Sequence, residues 1–202
     1  MDRILAGVFC LVLVVSCKPI VKLAYGVKKP KQTSIAEVET WAAEQGYAVD
    51  GSLYLSEEGI AQRYADGFGN NMQAYTREGY LIPFLVDGDT ITCSAVMDRF
   101  VMHLSPDETY PTERHRTLTT DLQGTMTRAQ TPFDVSMLPP ADFYIVGNWA
   151  SYMGKLNELN EWDELVAANQ RARVHLIKVN CDFLYPMPAI EERVKQLKME
   201  GR

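Results

Sequence analysis

A thiol exchanges disulfides only as an exposed, low-pKa thiolate with a second thiol near enough to resolve the mixed disulfide. The chain has four cysteines, Cys10, Cys17, Cys93 and Cys181, and no two stand in Cys-x-x-Cys spacing. Cys93 precedes a helical pattern, whose positive end would lower its pKa. Cys181 closes an apolar strand pattern. A Cys93–Cys181 pair is therefore one candidate redox site. The competing readings are two separate buried thiols, or an inert structural bond adding at most about 4–5 kcal/mol in the loop-entropy account. All three stand open at this level.

Other chemistry is thinner. His103, His115 and His175 are scattered, without the His-x-x-x-His or Cys-x-x-Cys spacing that a zinc site uses, so no metal and no cofactor is expected. No Gly-x-Ser-x-Gly offers a hydrolase nucleophile. The Gly-rich run at 67–71 lacks the Lys-Ser/Thr of a phosphate cradle and reads as a turn. Glu57-Glu58 and Glu191-Glu192 sit at helix starts, where they offset the helix dipole. His115 lies in Glu113-Arg114-His115-Arg116, a run that reads as solvated surface.

The chain has 202 residues, 47% hydrophobic and 23% charged, which marks it as globular rather than disordered. Its formal charge of −6 argues against a nucleic-acid partner, which needs a concentrated basic surface. The first residues form a separate object. Arg3 precedes an apolar run over 4–15, too short to cross a bilayer comfortably. The run ends in Val14-Val15-Ser16-Cys17, which resembles a bacterial lipobox. That resemblance implies a signal peptide over 1–16, cleavage before Cys17, a lipidated Cys17 with a further acyl chain such as palmitate, and firm anchoring by several chains together. An ordinary secretory leader or a short anchor is the plainer alternative. Residues 17–33 then read as a basic tether, with Lys18, Lys22, Lys28, Lys29 and Lys31 and no acid. The five lysines carry +5 of a total of −6, so residues 34–202 stand at −11. Beside anionic lipid each lysine would contribute about 1 kcal/mol. Pro19 and Pro30 favour a plain extended spacer.

The body must position any site. Ser34-x-x-Glu37 is a capping box, opening a helix with Ile35, Val38, Trp41 and Ala42 on one face, closed by Gly46. A short strand at 52–55 and a helix at 57–65 follow. Two apolar runs flank Asp87-Gly88, a hairpin signal. Pro83 within the first run demands an edge position, a bulge or a cis bond. A helix is expected at 94–104, stopped by Ser105-Pro106. Residues 107–141 are the least legible; Leu118, Leu122 and Met126 suggest a helix, weakened by Gly124. Then come a buried strand at 142–149, a helix at 153–169, a strand at 173–180 and a final helix opened by Pro188, with Ile190, Val194 and Leu197 inward. Strand, helix, strand of these lengths reads as a right-handed βαβ unit with parallel strands.

At 142–157 the chain resembles a thioredoxin-like protein, in which a strand ends in Trp and a helix carrying Cys-x-x-Cys follows. Here Trp149 is followed by Ala150, Ser151, Tyr152 and Met153, so the thiols are missing. Arg173 to Phe183 resembles the family's next strand, which often ends in Asn-x-Asp. Ile82-Pro83 before the hairpin resembles the cis-proline strand, but it precedes the βαβ unit. Either the strand order is rearranged or only one likeness is meaningful. A closer likeness is to a group of bacterial thioredoxin-like lipoproteins without Cys-x-x-Cys. It rests on the lipobox at Cys17, Tyr25-Gly26-Val27-Lys28-Lys29-Pro30-Lys31, the capped helix from Ser34 onward, the Asp87-Gly88 hairpin ending in Cys93, and Trp149-Ala150-Ser151-Tyr152-Met153-Gly154-Lys155.

The resemblance implies an α/β domain over 34–202 with a central mixed sheet and flanking helices, held outside the cytoplasm at the cell envelope. It lends an address but no reaction. The expected function is a non-catalytic binding or scaffolding module. Its rim would be Trp149, Tyr152, Lys155 and Pro83, at the strand ends where open α/β sheets bind ligands. Its partners would be the membrane, through the anchor, and an envelope protein or ligand. Large aromatics such as Trp149 and Tyr152 are more often packing residues. The alternative function is a thiol–disulfide oxidoreductase using Cys93 and Cys181.

Overall fold

The computed structural model describes residues 26–67, 72–83, 85–86, 89–90, 94–156 and 159–200, with backbone alone at 85–86, 89–90, 94–98 and 155–156. Helix α1 (Ile35–Glu44) opens on the expected capping box: Ser34 Oγ accepts from Glu37 N, and Glu37 Oε2 accepts from Ser34 N. Strand β1 (Leu53–Leu55) leads into α2 (Glu57–Asp66), capped by Ser56. Strands β2 (Met72–Thr76) and β3 (Tyr80–Ile82) pair antiparallel. The short strands β4 (Leu85–Val86) and β5 (Asp89–Thr90) pair across Asp87-Gly88, as the turn signal requires. Helix α3 is Ser94–His103. Strand β8 (Phe143–Trp149), helix α5 (Leu159–Ala168) and strand β9 (Val174–Asn180) form the expected unit, with β8 and β9 parallel from Phe143↔Val174 to Trp149↔Asn180. The chain ends in α6 (Met187–Met199), which buries Ile190, Val194 and Leu197.

Besides a 3₁₀ turn at Val135–Met137, the obscure segment resolves into three small elements. They are β6 (Glu113–Thr117), the one-turn helix α4 (Leu118–Asp121) and β7 (Thr125–Met126). The expected long helix through Met126 is therefore corrected. Gly124 takes φ +75° and turns the chain into β7, and its carbonyl lies so close to Gly59 of α2 that a Cβ there would sit 2.2 Å away. The run at 113–116 is largely exposed, as expected of solvated surface, and it is also a strand at the sheet's edge, where charged side chains discourage pairing with a further strand. The helix expected from Met153 starts as a 3₁₀ turn over Ser151–Leu156, broken by Gly154 at φ 59° and ψ −131°, and α5 begins only at Leu159.

The sheet is α/β and mixed, seven strands in the order β6-β3-β2-β8-β9-β1-β7. Strands β8, β9 and β1 are parallel; the other neighbours are antiparallel. Alternate residues of β8 feed two cores, as period-2 geometry dictates. Phe143, Ile145 and Trp149 join Val38 and Ala42 of α1, Val101 of α3, Leu104 just after it, and Leu159 and Trp162 of α5. Val146 joins Ile60, Ala61, Ile190, Val194 and Leu197 of α2 and α6 on the other face.

Candidate functional site

The carboxyl ends of β8 and β9 are held together by one buried carboxylate. Asp182 is 2% exposed. Its Oδ2 accepts from Ser151 N at 2.7 Å and Asn180 Nδ2 at 2.8 Å, and its Oδ1 accepts from Ser151 Oγ at 2.7 Å. The ladder also continues past the strands, with Cys181 N donating to the Trp149 carbonyl at 2.7 Å. The loop that resembles a thiol-exchange loop is thus clamped to the end of the neighbouring strand by charge-assisted hydrogen bonds.

Residues 26–33 lie against this same edge. Lys28 N donates to the Tyr152 carbonyl at 2.7 Å, and Thr33 N donates to the Phe183 carbonyl at 2.9 Å. Gln32 bridges Phe183 in parallel sense. The second half of the expected free tether is therefore a strap, fixed by backbone hydrogen bonds to the loops after β8 and β9. The folded body starts well before residue 34.

The expected rim residues do not converge. Trp149 is 2% exposed and stacks on Trp41, with ring centroids 6.5 Å apart and planes at 18°. It belongs to the core, and among the described residues its Nε1 has no hydrogen-bond partner. Tyr152 is half-buried with its ring tilted on Phe183 at 6.2 Å, and burial pushes its phenol well above the usual range. Pro83 follows the end of β3, its peptide bond is trans, and β2 separates it from β8; the edge, bulge and cis options give way to a strand terminator. The side chain of Lys155 lies outside the described residues, as do Cys17 and Cys93. Cys181 is a free thiol, buried, with Sγ 3.7 Å from the Val179 carbonyl and 3.9 Å from Asn148 Oδ1. Burial pushes this thiol up to about 11, against a weaker pull from Arg63. Buried and held as the neutral thiol, it lacks the exposed thiolate that disulfide exchange needs.

A polar network that no motif announces lies under the sheet beside Cys181. Arg63 of α2 donates to Asn148 Oδ1 at 2.5 Å and to the Asp121 carbonyl at 3.1 Å. The Asp121 carboxylate accepts from Tyr75, and from Arg116 at 3.1 Å. Burial, and then the Asp121 charge, raise the Tyr75 phenol far above its usual range. Its members are far apart in sequence, up to 85 positions for Arg63 and Asn148, so spacing could not show it. It reads as a fully satisfied network that fixes α2 and α4 on the sheet.

The open clefts are elsewhere. One of about 1000 Å³ lies where α2 starts, beside α4 and β7, lined by Ser56, Thr120, Gln123, Thr125, Phe133 and Tyr185 among others. Another of about 560 Å³ lies beyond Phe133, with Arg128 paired to Glu39 at its mouth. Among the described residues no group of three His, Cys, Asp or Glu could hold a metal ion. Among them, too, no helix is long and apolar enough to cross a membrane. No protein-family model, no curated protein and no solved structure matches the chain.

Proposed function

We propose that this chain is a lipid-anchored protein of the bacterial cell envelope whose thioredoxin-like domain binds a partner without thiol chemistry. The thioredoxin-like reading is supported by β8 ending in Trp149, by parallel β9 ending in Asn180-Cys181-Asp182, and by the antiparallel pair β2–β3 on the far side of β8. That pair precedes β8 in the chain, so the reading requires a rearranged strand order, and Pro83, trans and beyond the end of β3, lends it nothing. The anchor is supported by the sequence around Cys17 alone.

The observation that carries the non-catalytic reading is the clamp at Asp182 with the strap across it. An exchange loop must admit a substrate disulfide to a thiolate. Here Ser151 is tied to Asp182, the Tyr152 carbonyl is occupied by Lys28, and the one described thiol is buried. Binding falls instead to the larger cleft. Its wall is mainly apolar, with hydroxyl and amide groups of Ser56, Thr120, Gln123 and Thr125 set into it, and its one carboxylate, Asp134, already accepts from Ser136 N and Oγ at 2.9 and 2.6 Å. Such a wall suits an uncharged hydrogen-bonding ligand or segment more than an ionic one.

The test has two parts. Intact mass of the membrane-extracted protein is expected to show a lipid-modified amino-terminal Cys17, and Cys17→Ser is expected to release the chain from the membrane. Photo-crosslinkers placed at Thr120 and Gln123 in cells are expected to give discrete adducts that one at Arg99 does not. Adducts equal at all three positions would sink the cleft assignment. An unmodified Cys17 would sink the anchor.

A further inference from the structure

We infer that the strap turns the carboxyl edge of the sheet toward the membrane and presents Lys28, Lys29 and Lys31 to anionic lipid headgroups. The inference rests on the lipidated Cys17 of the proposed function and adds an orientation and a lipid class to it. A free spacer would leave the domain able to roll in any direction. This segment is not free over 26–33, because Lys28 N and Thr33 N hold it at two points five residues apart. The backbone is docked while the side chains of Lys28, Lys29 and Lys31 remain exposed. The three charges are therefore fixed on one side of the body rather than spread along a coil.

Length limits the orientations open to the body. Nine residue steps separate Cys17 from Gly26. Fully extended they span about 30 Å, at roughly 3.3–3.6 Å per residue. A compact body of this size has a radius of gyration of about 16 Å, hence a diameter of roughly 40 Å. Turning the strap to the far side would place Gly26 further from the bilayer than the spacer reaches. Reach therefore excludes the far side, and charge selects among the orientations that are left.

Charge points the same way. Residues 26–33 carry three lysines and no acid, whereas residues 34–202 stand at −11. An anionic surface attracts the first and repels the second. Each lysine brought close to such a surface strengthens the contact about fivefold, so three together give about 100-fold over a neutral strap. The range is set by the screening length, so salt must weaken it. A basic site on a protein partner would be a different occupant. It is disfavoured here because the tether brings this edge to the bilayer whether or not a protein is near.

The experiment uses the full lipidated chain in two sets of vesicles, phosphatidylcholine alone and phosphatidylcholine with about 30 mol% phosphatidylglycerol, compared at low salt and at about 0.5 M salt. Flotation with the neutral vesicles reports the anchor alone. Amine labelling read by mass spectrometry reports each lysine. Lys28, Lys29 and Lys31 are expected to label at least threefold more slowly on the anionic vesicles, with the difference lost in salt. Lys195 and Lys198, near the other end of α6, are expected to label equally on both. Equal labelling of the strap lysines on both vesicles, or protection of Lys195 and Lys198 instead, overturns the orientation while leaving the anchor intact. Failure to float with neutral vesicles overturns the anchor and the orientation with it.

Discussion

Asp182 offers the sharpest test of how this edge is built. Replacing it with alanine removes an acceptor of three hydrogen bonds at 2.7, 2.7 and 2.8 Å. Of the donors, Ser151 N is fixed in the backbone, and Asn180 Nδ2 is held by full burial and by the bond that Asn180 Oδ1 accepts from Asp182 N at 3.1 Å. Each buried donor left unsatisfied costs about 1–3 kcal/mol, so Asp182→Ala is expected to lose about 3–5 kcal/mol. Asp182→Asn is a different case. Its remaining oxygen can face the two N–H donors, and the Ser151 hydroxyl can rotate to accept from the new amide. Only the charge assistance is lost, about 1–2 kcal/mol. Urea unfolding of the two variants and of Ser151→Ala gives the values, and a double-mutant cycle between 151 and 182 is expected to show about 1–2 kcal/mol of coupling. In thermal scans Asp182→Ala should fall by about 10 °C, at roughly 2–4 °C per kcal/mol for a chain of this size. Equal losses for Ala and Asn, or no coupling to Ser151, would refute the clamp.

Three further outcomes follow from the same geometry. Gly59→Ala places a Cβ 2.2 Å from the Gly124 carbonyl, backbone against backbone, and is expected to cost about 2–3 kcal/mol, whereas Ala61→Gly in the same helix should cost about 1 kcal/mol; equal effects would mean the approach is looser than described. Amide exchange by NMR is expected to show Lys28 and Thr33 protected, since both donate to the body; exchange at the unfolded rate would refute the docked strap. Cys181 predicts a pH dependence. Its thiol is held neutral in the folded state, up to about 11 from an ordinary 9.0, so the unfolded chain ionises first. The advantage of wild type over Cys181→Ala is therefore whole below about pH 9 and is lost as pH rises toward about 11. Between about pH 8 and about pH 10.5 it should shrink by about 2 kcal/mol in paired urea titrations, and an unchanged difference would mean an exposed thiol.

The parts of this fold that were legible are those that bury a periodic face. The capping box at Ser34, the alternation through β8 and the stripe Ile190–Val194–Leu197 all show in the amino acids because each meets a core. Strand β6 did not show because it is a charged edge, held to its neighbour by backbone groups that any residue supplies. The strap was hidden for the same reason. Lysines and a proline read as a spacer, and the contacts that dock it come from main-chain N–H groups. The site was legible only as a frame. Asn180-x-Asp182 could be picked out, but its partner Ser151 stands 31 positions earlier and carries no signal of its own. Trp149 looked like a rim residue because its place in the loop is familiar. The Trp41 ring that buries it comes from α1, which no local pattern links to β8.

The strap also decides how the molecule responds to force. A pull entering at the amino-terminal end reaches the Lys28–Tyr152 hydrogen bond first and the Thr33–Phe183 bond five residues later. The two are loaded in turn, as when tape is peeled, and each yields at the low tension that one hydrogen bond bears. Only afterwards does load reach α1 and the strands. A drag on the amino-terminal end would thus free the eight residues of 26–33 before it disturbed the sheet, and relaxation would let the same two bonds wind them back in.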